Sequence, residues 1–375
     1  MPKKLLLFEP DFGDKEILEV ISTLKKGWVA QGEKVLEFEN RLAHYLGVKY
    51  AIATNSGTAA LHLAYCIAGI GPGDEVVVPS LTFCATANAV IYCGATPVFA
   101  DINSSNDWTI SSFDVSKKLT SRTRAVVAMH YAGFGSDMVA LRGLCKGRNI
   151  YLIEDAAHAL GGKLDNQALG TIGDFGCFSF YSNKIITTAE GGLLVTNNKD
   201  AANRARCLRS HGMTATAHDR VRGASGYDIK EVGYNYRLDD FRASLGLAQL
   251  DRLDHSLEQR ISLVDRYRKN LAMESAITVP LHGNRGKSAN YIFPVLINLD
   301  IRDQVRKSME NNGIQTSIHY TPVHQLSPYL IDGFNLPIVE SISTRILTLP
   351  LYPAMTIDDV DLVCNSIRQA ISSAI

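Results

Sequence analysis

The chain has 375 residues, with 38 Lys plus Arg against 38 Asp plus Glu, 46% apolar, 20% charged and 8% aromatic residues. These globular values exclude a disordered, collagenous or coiled-coil chain, and a formal charge of zero disfavours a nucleic-acid partner, which would call for a basic surplus. At ~100–200 residues per domain the length predicts two or three domains, and no apolar run approaches the ~18 residues that cross a bilayer.

The start is basic at its tip, but the apolar stretch Leu5-Leu6-Leu7-Phe8 is too short for a secretory core. Seven cysteines, with no CxxC pair and no metal-type cluster in the sequence, predict thiols in a reducing cytosol and no metal site. From Tyr50 onward, short β-rich runs alternate with helical ones. Strands are expected at Tyr50–Ala53, Val76–Pro79, Val98–Ala100, Ala125–Met129, Tyr151–Glu154, Cys177–Tyr181 and Leu193–Thr196, several of them continuously apolar. Helices are expected at Thr58–Ala68, Thr82–Cys93 and Met138–Lys146. The alternation predicts an α/β fold, a mainly parallel sheet flanked by helices. Near residue 240 the pattern changes. Leu250, Leu253, Leu257, Ile261, Val264, Tyr267 and Leu271 mark one face of a long helix. A strand (Tyr291–Asn298), a helix (Ile301–Asn312), a strand (Ile314–Ile318), a loop (Pro322–Pro337), a strand (Ile346–Leu349) and a last helix (Ile357–Ile375) follow. The expected organisation is a large domain of residues 1–245 and a smaller α+β domain of 246–375 joined by the long helix.

Three places invite chemistry. In Thr54-Asn55-Ser56-Gly57-Thr58 a strand runs through small residues into a helix, whose free N–H groups suit an anion such as phosphate; taken alone, an ordinary well-capped turn is the plainer reading, because caps are common and phosphate sites are not. Tyr151–Asp155 is an apolar strand ending in two carboxylates, and ligands of parallel sheets bind at strand carboxyl ends; Asp155 could equally be a helix cap. Lys184 sits in a mostly uncharged stretch between a strand and Gly191-Gly192. Desolvation there would lower its pKa, and a neutral amine is what forms a Schiff base. The cluster Gly69-Ile70-Gly71-Pro72-Gly73 follows a helix and precedes a strand, the reverse of a dinucleotide-binding fingerprint, and reads as a helix stop.

With these fragments in place, the chain resembles the DegT-type nucleotide-sugar aminotransferases, which use pyridoxal 5′-phosphate (PLP) and have the aspartate-aminotransferase fold (fold type I). The resemblance runs through Gly27-Trp28-Val29-Ala30-Gln31-Gly32, Asn55–Leu61, Pro79–Thr86, Glu154–His158, Phe178-Ser179-Phe180, Lys184, Glu190-Gly191-Gly192, Gly233–Arg237 and His319–His324. It implies that Lys184 is the catalytic lysine and proton carrier, and that Asp155 pairs with the pyridine nitrogen. It implies phosphate contacts from Gly57, Thr58 and Ser179, stacking by Phe83 on the cofactor ring, and a ring contact from His158. Asn235 would reach the cofactor phosphate of the neighbouring subunit, so the expected assembly is a homodimer with shared active sites. His319, Tyr320 and His324 match a loop near the sugar-nucleotide pocket. The implied reaction moves an amino group from an amino acid, glutamate by expectation, through the pyridoxamine 5′-phosphate form of the cofactor, to a nucleotide-linked keto-deoxysugar. His at 158 tilts the expectation to a 4-keto substrate; a 3-keto sugar nucleotide or a cyclitol ketone is the alternative. A sugar dehydratase of this fold would replace the lysine by histidine, a nicotinamide oxidoreductase would carry a glycine fingerprint, and a silent regulatory protein would lack Lys184, Asp155 or Ser179.

Overall fold

The computed structural model describes residues 4–215, 223, 225–281, 286–297, 301–330 and 334–374. It opens with two helices, α1 (Asp14–Lys26) and α2 (Glu33–Leu46), absent from the sequence reading. The first is inconspicuous because its burial is inverted: Glu16 and Thr23 face inward, while Ile17, Leu18, Ile21 and Leu24 are exposed. Glu16 is satisfied inside by the Gln249 amide, which donates to it at 2.7 Å.

The alternating region gives β1 (Tyr50–Thr54), α3 (Gly57–Ile67), β2 (Glu75–Pro79), α4 (Ala85–Tyr92), β3 (Thr96–Ala100), α5 (Ser112–Lys118), β4 (Thr123–Met129), α6 (Met138–Cys145) and β5 (Tyr151–Asp155). A small hairpin, β6 (Lys163–Leu164) and β7 (Gln167–Ala168), precedes β8 (Phe175–Ser179), β9 (Gly192–Thr196) and α7 (Lys199–Arg209). Seven strands form one sheet in the order β1-β9-β8-β5-β4-β2-β3. Every pair from β8 to β3 is parallel, and β9 runs antiparallel to both β8 and β1. The sheet is thus mainly parallel, as expected, with one reversed strand. Parallel neighbours need a long crossover, and the β8–β9 connection is instead the turn that carries Lys184, which returns the chain beside the strand it left. The apolar runs are explained by burial on both faces: Val76, Val77 and Val78 are all fully buried.

The helix face expected from Leu250 to Leu271 falls on two helices: Leu250 ends α8 (Asp240–Leu250), and the other six residues lie on α9 (Leu253–Leu271). They part at Asp251 and Arg252, whose side chains turn outward to ion pairs, Asp251 with Lys15 at 2.5 Å and Arg252 with Asp11. Position 245 falls inside α8, whose Ala243, Leu247 and Leu250 belong to the larger of two hydrophobic clusters. The change of core occurs along α9: Leu253 and Leu257 pack in the larger cluster, Leu263, Val264, Tyr267 and Leu271 in the smaller. The smaller cluster sits under a three-stranded antiparallel sheet of β10 (Ile277–Thr278), β11 (Phe293–Ile297) and β12 (Ile346–Leu349). Helices α10 (Arg302–Asn311), α11 (Pro337–Ser343) and α12 (Ile357–Ala374) complete the described C-terminal part. The expected strand Ile314–Ile318 is not formed. The segment makes only isolated bridges, Ile314 to Leu5 and Ser317 to Thr348, because beyond Ser317 the chain leaves the sheet to bring His319 and Tyr320 to the cavity described below. Asn298, Ile375 and residues 331–333 of the expected loop lie outside the described residues.

Candidate active site

Strands β4, β5 and β8 end at Met129, Asp155 and Ser179, and all three residues line one cavity of about 480 Å³ at the carboxyl edge of the sheet. The N-terminus of α3 closes one side of it. Ser56 is the cap of that helix, its hydroxyl accepting from the Ala59 N–H at 3.1 Å. The close fit of this turn depends on glycines. A β-carbon on Gly57 would lie 2.9 Å from Cβ of Ser179, and one on Gly192 would lie 2.3 Å from the Ser56 carbonyl oxygen. The first turn of α3 is therefore pressed against the ends of β8 and β9, and the Gly57, Thr58 and Ser179 positions share one rim.

Of the two carboxylates that end β5, strand alternation sends one to each face. Glu154 turns away from the cavity. It is fully buried, pairs with His130 Nε2 at 2.8 Å and accepts the Gly170 and Ile172 N–H groups at 2.8 and 2.6 Å. Asp155 faces the cavity and is 4% exposed. It accepts from the Thr86 hydroxyl at 2.7 Å and from the Ala157 N–H at 3.2 Å. Burial raises its pKa above the ordinary carboxylate value, while these two hydrogen bonds and the charge of Lys184 oppose the rise.

Lys184 lies across the same cavity. Burial brings its pKa down to about 7, against the pull of the Asp155 charge. Its Nζ donates to the Tyr291 hydroxyl at 3.3 Å and lies 4.3 Å from the centre of the Tyr291 ring. Tyr291 is held in turn by Arg260 of α9, whose buried guanidinium donates to its carbonyl at 3.1 Å and to that of Leu351 at 3.2 Å.

His158 is buried against this tyrosine, ring centroids 4.2 Å apart. Its Nδ1 accepts from the Ala132 N–H at 3.3 Å, which leaves Nε2–H to donate to the Tyr320 hydroxyl at 2.9 Å. Burial holds its pKa well below the usual imidazole value, so the ring is neutral. His319 lines the cavity with Tyr320; its Nδ1 meets the Thr348 hydroxyl at 3.0 Å, and burial brings its pKa to about 4. Phe83 stands at the mouth, 55% exposed, its ring 6.0 Å from that of Tyr320.

Nine of the eleven residues expected at the site therefore line one cavity: Gly57, Thr58, Phe83, Asp155, His158, Ser179, Lys184, His319 and Tyr320. Asn235 and His324 do not. Asn235 is exposed, and its carbonyl accepts from the Asn55 amide at 3.2 Å. His324 is tied between Ser80, at 2.5 Å, and Glu340, at 3.2 Å. Sequence reasoning missed Thr86 and Tyr291. Thr86 stands one helical turn after Thr82 and bonds it at 2.9 Å, but nothing along the chain ties it to Asp155, 69 residues away. A wider groove of about 640 Å³ lies elsewhere, between Gln31, Glu39, Arg204 and Lys230; there Arg204 is spent on an ion pair with Glu231 at 3.0 Å.

The profile of the DegT/DnrJ/EryC1/StrS aminotransferase family matches residues 10–368. The chain belongs to this family. A relative, GDP-perosamine synthase of Caulobacter vibrioides, is 37% identical over 358 residues, 94% of each chain. Among solved structures, Helicobacter pylori PseC, an aminotransferase involved in the biosynthesis of pseudoaminic acid, superimposes with a TM-score of 0.93 at 29% identity, covering 99% of this chain and 100% of that one. The PLP form of Spr1654 from Streptococcus pneumoniae gives 0.92 at 30% identity, covering both chains fully. The protein is thus a PLP-dependent aminotransferase, and its cavity can be tested for that cofactor. The donor set fits. A helix N-terminus and two hydroxyls, Thr58 and Ser179, suit a phosphate, Asp155 suits a protonated pyridine nitrogen, and Lys184 is an amine able to be neutral near pH 7. Asn183, which also lines the cavity, has a buried side-chain oxygen with no hydrogen-bond partner. No helix of the described chain is long and apolar enough to cross a membrane.

Proposed function

We propose that this aminotransferase moves an amino group from an amino acid, glutamate in our reading, to the keto carbon of a nucleotide-linked keto-deoxysugar, with a 4-keto sugar as the favoured acceptor. The observation that carries the reading is the placing of Lys184 opposite Asp155 in a cavity whose rim is a helix N-terminus. The likeness to GDP-perosamine synthase supports a nucleotide sugar, and the histidine at 158 supports the 4-keto position by resemblance. PLP, when bound, supplies an aldehyde carbon for an amine and a protonated ring that draws electrons from the substrate carbon.

In this reading the protein's own groups do four things. Gly57 and Thr58, at the start of α3, and the Ser179 hydroxyl hold the phosphate. Asp155, whose charged form is favoured by its hydrogen bonds from Thr86 and the Ala157 N–H, would hold a proton on the ring nitrogen. Phe83 covers one face of the ring, and His158, neutral and fixed by Ala132 and Tyr320, borders it. Lys184 would hold the cofactor through its neutral amine and would carry a proton to or from the substrate carbon, tasks suited to a pKa near neutrality. His319 and Tyr320 contact the sugar nucleotide; His324 supports that loop through Ser80 and Glu340 rather than from the cavity itself.

We further propose a homodimer of two-unit subunits, PLP-binding residues 1–245 and a small unit of 246–375, with active sites shared across the two-fold axis. Two observations support it: the exposed apolar stripe of α1, and Asn235, which is exposed and lies outside its own subunit's cavity. A reducing cytosol suits the seven free thiols.

The test is a screen of nucleotide 4-keto sugars, nucleotide 3-keto sugars and cyclitol ketones against the enzyme in its amine-charged form. Fastest discharge by a nucleotide 4-keto sugar is expected. Discharge by cyclitol ketones alone, or by 3-keto sugars alone, overturns the substrate assignment.

A further inference from the structure

Among the described residues, the only group of three metal-ligating side chains gathered at one point lies outside the catalytic cavity: His62 and Cys66, one turn apart on α3, and Cys93, at the C-terminal end of α4. The ligand atoms of the three lie within 4.8 Å of one another. The two sulfurs are 3.9 Å apart. An ion bound tetrahedrally by two thiolates at ~2.3 Å holds its sulfurs about 3.8 Å apart, so the pair is already at that spacing. A disulfide would require them to close to ~2.05 Å.

The imidazole supplies a second, independent observation. His62 is 3% exposed, and its Nε2 is buried without a hydrogen-bond partner. A buried polar nitrogen left unpaired is costly, and such exceptions call for an explanation. The other ring nitrogen, Nδ1, meets the Tyr236 hydroxyl at 3.0 Å. Metal-binding histidines are commonly oriented in this way, through the nitrogen that does not bind the metal. The ring is caged by Tyr234 and Tyr236, at centroid distances of 4.8 and 5.9 Å. The Tyr234 hydroxyl lies 3.7 Å from Cys66 Sγ.

We propose that His62, Cys66 and Cys93 form a zinc site with water as fourth ligand. Two thiolates and an imidazole are a soft donor set that selects zinc over magnesium or calcium. None of the three residues lines the catalytic cavity. The ion braces the elements that build that cavity: α3, whose first turn carries Gly57 and Thr58, and α4, which carries Thr86. Through Tyr236 it also fixes the segment holding Asn235.

The experiment uses the full-chain, PLP-loaded enzyme, stripped with a chelator, desalted and titrated with zinc chloride against a chromophoric chelator. Zinc K-edge absorption is then measured on the reloaded protein. One zinc per chain with a submicromolar Kd is expected, with two sulfur neighbours at about 2.3 Å. His62→Gln, Cys66→Ser and Cys93→Ser should each weaken zinc binding by about a hundredfold, by loss of a ligand, while PLP content and far-ultraviolet circular dichroism are kept. Should a serine variant fail to fold, the absorption edge of the unaltered protein still decides. Only oxygen and nitrogen neighbours, no binding tighter than about 10 μM, or full zinc retention by a folded Cys66→Ser, Cys93→Ser double variant overturns the site.

Discussion

The Thr86 hydroxyl, on the first turns of α4, donates to Asp155 Oδ2 at the end of β5 at 2.7 Å. It is a hydrogen bond to the charged form of a group whose pKa burial raises. Thr86 therefore helps to set the protonation state of the carboxylate on which the cofactor's ring nitrogen depends.

Thr86→Val should lower kcat by roughly ten- to a hundredfold, since a hydrogen bond to a charged group is worth ~1.5–3 kcal/mol. The sign in pH follows. Losing a donor raises the Asp155 pKa, and the active, ionised form is lost as pH falls, so the acid limb of kcat should move to higher pH. Asp155→Asn should remove most activity with little change in melting temperature. A variant that melts early, yet turns over normally per folded molecule, would reduce Asp155 to a helix cap.

For Lys184 the measurement is PLP capture by the apoenzyme as a function of pH. Capture requires the neutral amine, so its rate should rise with pH and level off above about 7, the value to which burial brings this lysine. A surface lysine would keep rising toward ~10.4. Lys184→Ala should abolish transamination, and borohydride treatment of the unaltered holoenzyme should fix the cofactor to residue 184. Label on another lysine removes the assignment.

Tyr291→Phe keeps the ring against His158 but deletes the hydroxyl that accepts from Lys184 at 3.3 Å. An acceptor favours the ammonium, so its loss should move the capture midpoint further below 7. The loss in kcat should be about fivefold, in keeping with ~1 kcal/mol for one neutral acceptor. An unchanged midpoint would mean that the hydroxyl does not bear on the amine.

Gly57→Ala places a β-carbon 2.9 Å from Cβ of Ser179 and must push apart the two sides of the proposed phosphate rim. Overpacking of ~1–3 kcal/mol corresponds to PLP retention weakened roughly 5- to 150-fold, read by ultrafiltration. Retention equal to the unaltered enzyme would place the phosphate elsewhere.

The shared site is checked by mixing subunits. Asn235→Ala alone should weaken PLP retention roughly ten- to a hundredfold, the worth of one hydrogen bond to a charged acceptor at ~1.5–3 kcal/mol. When Lys184→Ala and Asn235→Ala subunits exchange, each heterodimer carries one site with both defects and one with neither. Activity should then return to about half that of the unaltered dimer per heterodimer. No recovery in proven heterodimers would assign Asn235 to its own subunit's site.

What the sequence by itself determined is local. Continuous apolar runs such as Val76–Pro79 mark strands covered on both faces, and Ser56 followed by Gly57 marks a helix start. Lys184 stands out because charge is missing around it. The order of these pieces along the chain identified the family and the α/β class. Inverted burial hid α1, whose two leucines and two isoleucines face outward, and Leu250, expected on the long helix, instead ends the separate helix α8. Tertiary structure alone decided which residues act on Lys184 and Asp155. Thr86 and Tyr291 are ordinary positions in sequence and become site residues only because the first turn of α4 brings the Thr86 hydroxyl to the end of β5 and because Arg260 fixes the chain at Tyr291. Cys66 and Cys93, spaced like no metal motif, are brought to 3.9 Å by the packing of α3 on α4. Hydrophobic periodicity reports which face of an element is buried. It carries no information on which distant polar atom that burial brings within 3 Å, because that is set by how whole elements pack.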